Sequence, residues 1–283
     1  MAMNYRNKNK ILADKERLFP RKSLGQHFLK DRNILKKISD NANLSENDTV
    51  LEVGPGEGTL TELLLEKAGR VIAVEKDARL IPVLKQKFAK DISIGKLKLI
   101  HADILSPDTS FLRYTLHASR YKIVANLPYY ITGQFLRKFL STEKQPEMMV
   151  VLLQKEVAKR IVGRGASYAK SFSEPKKESL LSISVKAYGN PIYVDTVKAG
   201  SFSPPPKVDS AILKIENISK KNFEKISEEK FFDVLKRGFS HPRKILSSNL
   251  KVSPEELDKL GVDSKCRAED LSLENWKAIC DKI

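Results

Sequence analysis

The stretch TVLEVGPGEGT, Thr49 to Thr59, sets an apolar run against three glycines. Val50-Leu51-Glu52-Val53 stops at Gly54, and Gly56 and Gly58 follow two apart. A helical pattern comes next, with Leu60, Leu63, Leu64 and Leu65 on one face. Strand, tight glycine loop and helix make the opening of a nucleotide-binding α/β unit. Glycine accepts φ > 0 and lets a ligand lie close against the backbone.

A dinucleotide fingerprint has the spacing G-x-G-x-x-G, and here its last position is Thr59. G-x-G-x-G after an acidic residue is instead the pattern of S-adenosylmethionine (SAM) methyltransferases. Glu75 supplies a second signal. It ends the apolar run Val71-Ile72-Ala73-Val74, about 20 residues past Gly54, where an acidic side chain can hold ribose hydroxyls. SAM and NAD both carry a ribose, so Glu75 alone does not choose between them. A tight turn with a solvated acid at a strand end leaves the same local trace.

A chain of 283 residues can bury one substantial core and a smaller second domain. No apolar run approaches the roughly 20 residues that span a membrane, and the polar, basic N-terminus lacks the apolar segment of a secretory signal. Cys266 and Cys280 lie 14 apart, which suggests neither a metal cluster nor a disulfide framework. A reduced, cytoplasmic setting without metal is expected. The net charge is +16, and it is unevenly placed. Residues 1–37 hold 11 Lys/Arg against 3 Asp/Glu, and residues 137–186 hold 11 against 5. Residues 218–283 hold 14 against 12, and the rest balances. A neutral core with basic appendages suits a polyanionic partner; a generally Lys-rich surface gives the same composition.

Residues 1–20 read as a basic, mobile arm able to contact phosphates. RKSLGQHFLKD (Arg21–Asp31) leads into a helix expected over 32–44, with Ile34, Leu35, Ile38 and Ala42 at helical spacing. Strands are expected at Arg70–Glu75, Leu97–His101, Tyr121–Ala125, Met148–Leu153, Ile192–Val197 and Ala211–Ile215. Helices are expected at about Leu80–Phe88 and Phe135–Leu140, and from Gln154 onward. Asp103, just past the third strand, is placed to accept from an adenine amino group or to cap a turn. The fourth strand ends in Asn126-Leu127-Pro128-Tyr129-Tyr130. Proline there fixes φ and donates no hydrogen bond, so a rigid turn presents an amide, a carbonyl and an aromatic face together. Residues 163–179 read as an exposed loop, and Leu180–Tyr188 fits either a strand or a helix. Ser201–Ser210 forms a rigid proline-rich turn. From about 218 the pattern is helical throughout, with short helices near 254–260 and 272–282.

Several motifs, taken in order, resemble the KsgA (RsmA) family of small-subunit (16S) rRNA adenine N6,N6-dimethyltransferases. They are GQHFL, LEVGPGEGTLT, Glu75, Asp103, NLPYYIT, QKEVAKRI, FSPPPKVDSAIL, the basic PRK before Ile245 and RAEDLSLENW. The match runs from about residue 21 to the C-terminus. GQHFL, NLPY and FSPPPKVDS are shared with the Erm enzymes, which methylate large-subunit rRNA; the helical tail with RAEDLS favours KsgA.

The resemblance implies an α/β fold, a Rossmann-like SAM-dependent methyltransferase sheet over 21–217, and a small all-α RNA-docking domain over 218–283. It implies that His27, Leu29 and Gly54 border the methionine end of SAM and that Asn126 binds it beside the methyl donor. Glu75 would hold the ribose and Asp103 the adenine, with Ile104 packing nearby. Asn126, Leu127, Pro128 and Tyr129 would form the catalytic turn, and Tyr129 and Phe202 would sandwich the target adenine. The implied partner is 16S rRNA within the small ribosomal subunit, met by a monomer. The chain departs from the family at Tyr130, where Asn is frequent, and at Gly133, where Ser follows Thr. The 163–179 loop also lacks the family's compact Ser-Lys-Ala-Tyr-Gly form.

Overall fold

A computed structural model describes residues 20–21, 24–106, 120–163 and 177–283. All but the last residue of the expected arm, and most of the expected 163–179 loop, lie outside the described residues.

Seven strands form one sheet: β2 (Thr49–Val53), β3 (Arg70–Glu75), β4 (Leu97–His101), β5 (Tyr121–Asn126), β6 (Met148–Gln154), β7 (Asn190–Val197) and β9 (Ser210–Glu216). The spatial order is β4-β3-β2-β5-β6-β9-β7. The first five are parallel, and β9 runs antiparallel between β6 and β7. Every residue of β2 is buried, as a strand covered on both faces must be. Alternation sorts the side chains. Leu51, Val53, Met149, Val151 and Leu153 enter one core cluster, and Val50, Val150 and Leu152 enter the other.

Helices cover both faces. The first cluster takes Phe135, Leu136, Phe139 and Leu140 of α5 (Thr132–Ser141), and Ala158, Ile161 and Val162 of α6 (Lys155–Val162). The second takes Leu35 and Ile38 of α1 (Arg32–Asn41), Leu60, Leu64 and Leu65 of α2 (Thr59–Lys67), and Leu80 and Leu84 of α3 (Leu80–Lys87). A short α4 (Ala89–Ser93) with no buried residue follows α3. The helix expected over 32–44 ends at Asn41, because Asn43 turns to φ +45°.

The ambiguous Leu180–Tyr188 stretch is a helix, α7 (Leu180–Lys186), started by a Ser179–Ser182 capping box. Its apolar residues belong to two cores, which explains the misleading alternation. Val185 joins the first cluster, while Ile183 and Ala187 join a third. That third cluster is otherwise built from the C-terminal helices: α8 (Glu228–Gly238), α9 (Leu246–Leu250), α10 (Pro254–Asp258) and α11 (Leu273–Lys282). The RAEDLS segment meets α7 at its start. The Glu178 N–H donates to the Glu269 carbonyl at 2.8 Å, and Lys177 pairs with Glu269. Among the described residues no helix is long and apolar enough to cross a membrane.

Gly238 ends α8 against the fully buried Trp276, and a Cβ there would lie 2.3 Å from the indole ring. Gly238→Ala is expected to destabilise the fold by about 1–3 kcal/mol, the usual cost of overpacking. Urea unfolding followed by the fluorescence of Trp276, the only tryptophan, measures it.

Candidate active site

β2, β3 and β5 end level, with Val53 paired to Val74 on one side and Ala125 on the other. The chain moves outward from β2 through β3 to β4, then returns to β5 and moves outward the other way. The order therefore reverses between β2 and β5, and open α/β sheets bind ligands at such a switch point. The loops after β2, β3, β4 and β5 converge there on one cleft.

Glycine is required in the loop after β2 for two different reasons. At Gly58 (φ +77°) an added Cβ would lie 2.5 Å from the Phe88 ring, so the loop must pack bare. At Gly54 (φ +69°) the nearest atom would be the Asn126 carbonyl oxygen at 4.0 Å, which leaves open space beside the backbone. The buried Glu75 carboxylate ties the loop down. One oxygen accepts from the Gly56 N–H at 3.1 Å and the other from the Asp77 N–H at 2.7 Å. Burial raises its pKa while those two N–H groups oppose the rise. Beneath the loop Glu52 is 1% exposed; Thr61 donates to one of its oxygens at 2.7 Å, and the other has no partner among the described residues. Burial pushes the Glu52 carboxyl up to about 8.

Asp103 follows β4 and stands on the cleft wall. Its Oδ1 accepts from the Leu105 N–H at 2.9 Å, and its Oδ2 lies 2.7 Å from the Lys76 ammonium. Burial would raise this carboxyl, but the lysine holds it below the usual range.

Asn126 ends β5. Its Nδ2 donates to the His27 carbonyl at 3.1 Å. That bond fixes the orientation of the amide and leaves Oδ1 as the acceptor. His27 lies stacked near Tyr129, with ring centroids 6.0 Å apart, and its Nδ1 is 2.8 Å from the Pro204 carbonyl. A carbonyl only accepts, so Nδ1 carries the proton. Pro128 (φ −56°) opens a short 3-10 turn, Tyr129–Ile131. The Tyr129 hydroxyl hydrogen-bonds Ser210 at 2.7 Å.

The structure brings His27, Gly54, Glu75, Asp103, Asn126, Leu127, Pro128, Tyr129 and Phe202 to one cleft. Leu29 is the exception. It lies in β1 (Phe28–Leu29), 3% exposed within the second core, and pairs with Phe202 of β8 (Phe202–Ser203). Phe28 lines the cleft in its place. Phe202 is itself 5% exposed, with much of its ring in the core. Sequence reasoning missed the β1–β8 pair, because two residues carry no periodicity. It also missed Gln26, which donates to the buried Asp77 at 2.9 Å and so pins the N-terminal segment to the loop after β3. Tyr130, 60% exposed, stands at the mouth.

An adenosyl ligand offers two ribose hydroxyls and an adenine amino group as donors, and Glu75 and Asp103 are acceptors on adjoining strand ends. The open side of Gly54 gives it room against the backbone. Among the described residues no group of three His, Cys, Asp or Glu is placed to hold a metal ion.

A model of the ribosomal RNA adenine dimethylase family matches residues 19–283. The chain is 44% identical to a protein of Dehalococcoides mccartyi called ribosomal RNA small subunit methyltransferase A, covering 92% of this chain and 87% of that one. It is 36% identical to the protein of the same name from Clostridium acetobutylicum, with 93% of each covered. Among solved structures it is similar to a dimethyladenosine transferase from Plasmodium falciparum (TM-score 0.72, 27% identity, 89% and 96% covered). It shares the fold of the 23S rRNA methyltransferase ErmE (TM-score 0.68, 24% identity, 90% and 98% covered).

The raised Glu52 pKa makes folding take up a proton between 4.5 and about 8. The stability this lends is present below pH 4.5 and lost as pH rises toward 8. Unfolding free energies are expected to fall over that window on the order of 1.4 kcal/mol per pH unit. Urea titrations of wild type and Glu52→Gln at several pH values check this, since the variant removes that slope.

Proposed function

The chain belongs to the ribosomal RNA adenine dimethylase family, and on that premise we propose that it dimethylates N6 of two adjacent adenines in a hairpin loop near the 3′ end of 16S rRNA. SAM is the methyl donor, and the small ribosomal subunit, in the cytoplasm, is the setting. The enzyme acts as a monomer.

The fixed Asn126 amide is the observation that carries this reading. The adenine N6 lone pair is delocalised into the ring, so the amino group is a weak nucleophile. The Asn126 Oδ1 and the Leu127 carbonyl would accept hydrogen bonds from the amino hydrogens, two in the first transfer and one in the second, and favour a more sp³-like nitrogen; each transfer releases S-adenosylhomocysteine and a proton to water. SAM supplies a methyl group already activated by positive sulfur. Positioning therefore supplies most of the rate, and no protein nucleophile is needed. Tyr129, held by Ser210 through its hydroxyl, presents a ring face to the extruded base, and Phe202, which also lines the cleft, bounds the other side. Stacking of this kind is worth about 1–3 kcal/mol per base. Basic residues of 137–186, with the arm before residue 21, hold rRNA phosphates, and residues 218–283 form the domain that docks on RNA by shape.

Incubation with radiolabelled SAM and unmethylated small and large subunits, followed by nucleoside analysis, tests the reading. N6,N6-dimethyladenosine from the small subunit is expected. The same nucleoside from the large subunit would move the protein to the Erm activity. Retained SAM binding without label would leave a role in subunit assembly. Asn126→Ala is expected to keep S-adenosylhomocysteine affinity and lower turnover about 100-fold, the scale for loss of one positioned hydrogen-bonding group. Subunit binding should weaken steeply with salt through counterion release, as filter binding across a KCl series would show.

A further inference from the structure

Lys76 directly follows Glu75, and both line the cleft along with Asp103. The lysine side chain runs from the ribose-side acid to the adenine-side acid, where its ammonium holds the Asp103 Oδ2 at 2.7 Å. Asp103 has little freedom to seek another geometry. Its Oδ1 is engaged by the Leu105 N–H. The backbone just past it is pinned by Lys138, whose ammonium donates to the Ile104 and Ser106 carbonyls at 2.8 and 2.6 Å. Each Asp103 oxygen thus already has one donor, and the one on Oδ2 is the charged Lys76 ammonium.

We propose that Lys76 is a specificity-determining residue of the adenosyl pocket, competing with the adenine amino group for Asp103. This rests on the SAM reading given above. Binding exchanges an ion pair for a hydrogen bond, and the freed ammonium remains beside the six-position of the base. Both side chains of the pair are partly exposed, 51% and 39%, so the exchange is easy; pairs of this kind shift an equilibrium by up to about five-fold. The competition lowers affinity for a six-amino purine. It also makes the pocket tolerant of a six-oxo purine, whose oxygen accepts from the ammonium.

Calorimetric titration of wild type and Lys76→Met with S-adenosylhomocysteine and S-inosylhomocysteine tests this without turnover. Methionine keeps the length of the stem and drops the charge. The variant is expected to bind S-adenosylhomocysteine about three- to five-fold tighter and S-inosylhomocysteine more weakly. Wild-type affinity for S-adenosylhomocysteine should rise as KCl is increased and screens the pair, while the variant's should not. Equal or weaker S-adenosylhomocysteine binding by the variant would overturn the role of Lys76 alone. Failure of both proteins to bind it would overturn the SAM reading, and this inference with it.

Discussion

The Glu75 carboxylate accepts one N–H from the glycine loop after β2 and one from its own loop after β3. Two strand ends are thereby fastened through a single buried carboxyl group. Two oxygens with four lone-pair sites can satisfy two backbone donors and still accept from a ligand. The same interaction holds Gly56 at φ +59°, where an unsupported loop would sample many conformations. The cleft wall is therefore in place before any ligand arrives, and ordering entropy is met during folding.

The other wall is assembled from remote parts of the chain. Asn126 at the end of β5 is oriented by the His27 carbonyl, 99 positions away, and His27 is in turn held by Pro204. The short β1–β8 ladder brings these segments together, with the Lys30 N–H donating to the Ser201 carbonyl at 3.0 Å just beyond it. GQHFL and FSPPPKVDS thus work as one splint for the NLPY turn. That accounts for an odd mixture of polar and apolar residues in GQHFL: Gln26 and His27 make cross-chain hydrogen bonds, and Leu29 fills the core.

Much of this was legible in the sequence, and the exceptions have physical causes. Long parallel strands such as Tyr121–Asn126 and Met148–Gln154 announce themselves as apolar runs, because both of their faces are covered. The strand-end residues that meet in the cleft were legible for the same reason: once the strand is placed, its end is placed. In β1 the Phe28 side chain lines the cleft while the Leu29 side chain is buried in the core, a difference that two residues cannot announce by pattern. Lys76 could not be found at all by pattern. A lysine after an acid reads as a solvated charge, and only the fold brings it across to Asp103. In α7 the periodicity itself misleads, since a helix with two apolar sides reads like a strand.

That two-sided helix has a consequence for how such proteins diversify. Ile183 and Ala187 lie at the bottom of the cluster that the tail builds, although they precede it in the chain by some forty residues. A tail exchanged for another could not be an inert attachment. It would have to bring a matching apolar face to those two side chains, or the exchange would leave a greasy scar on the catalytic body. Exchange of the C-terminal helices is thus constrained by the shape of one helix.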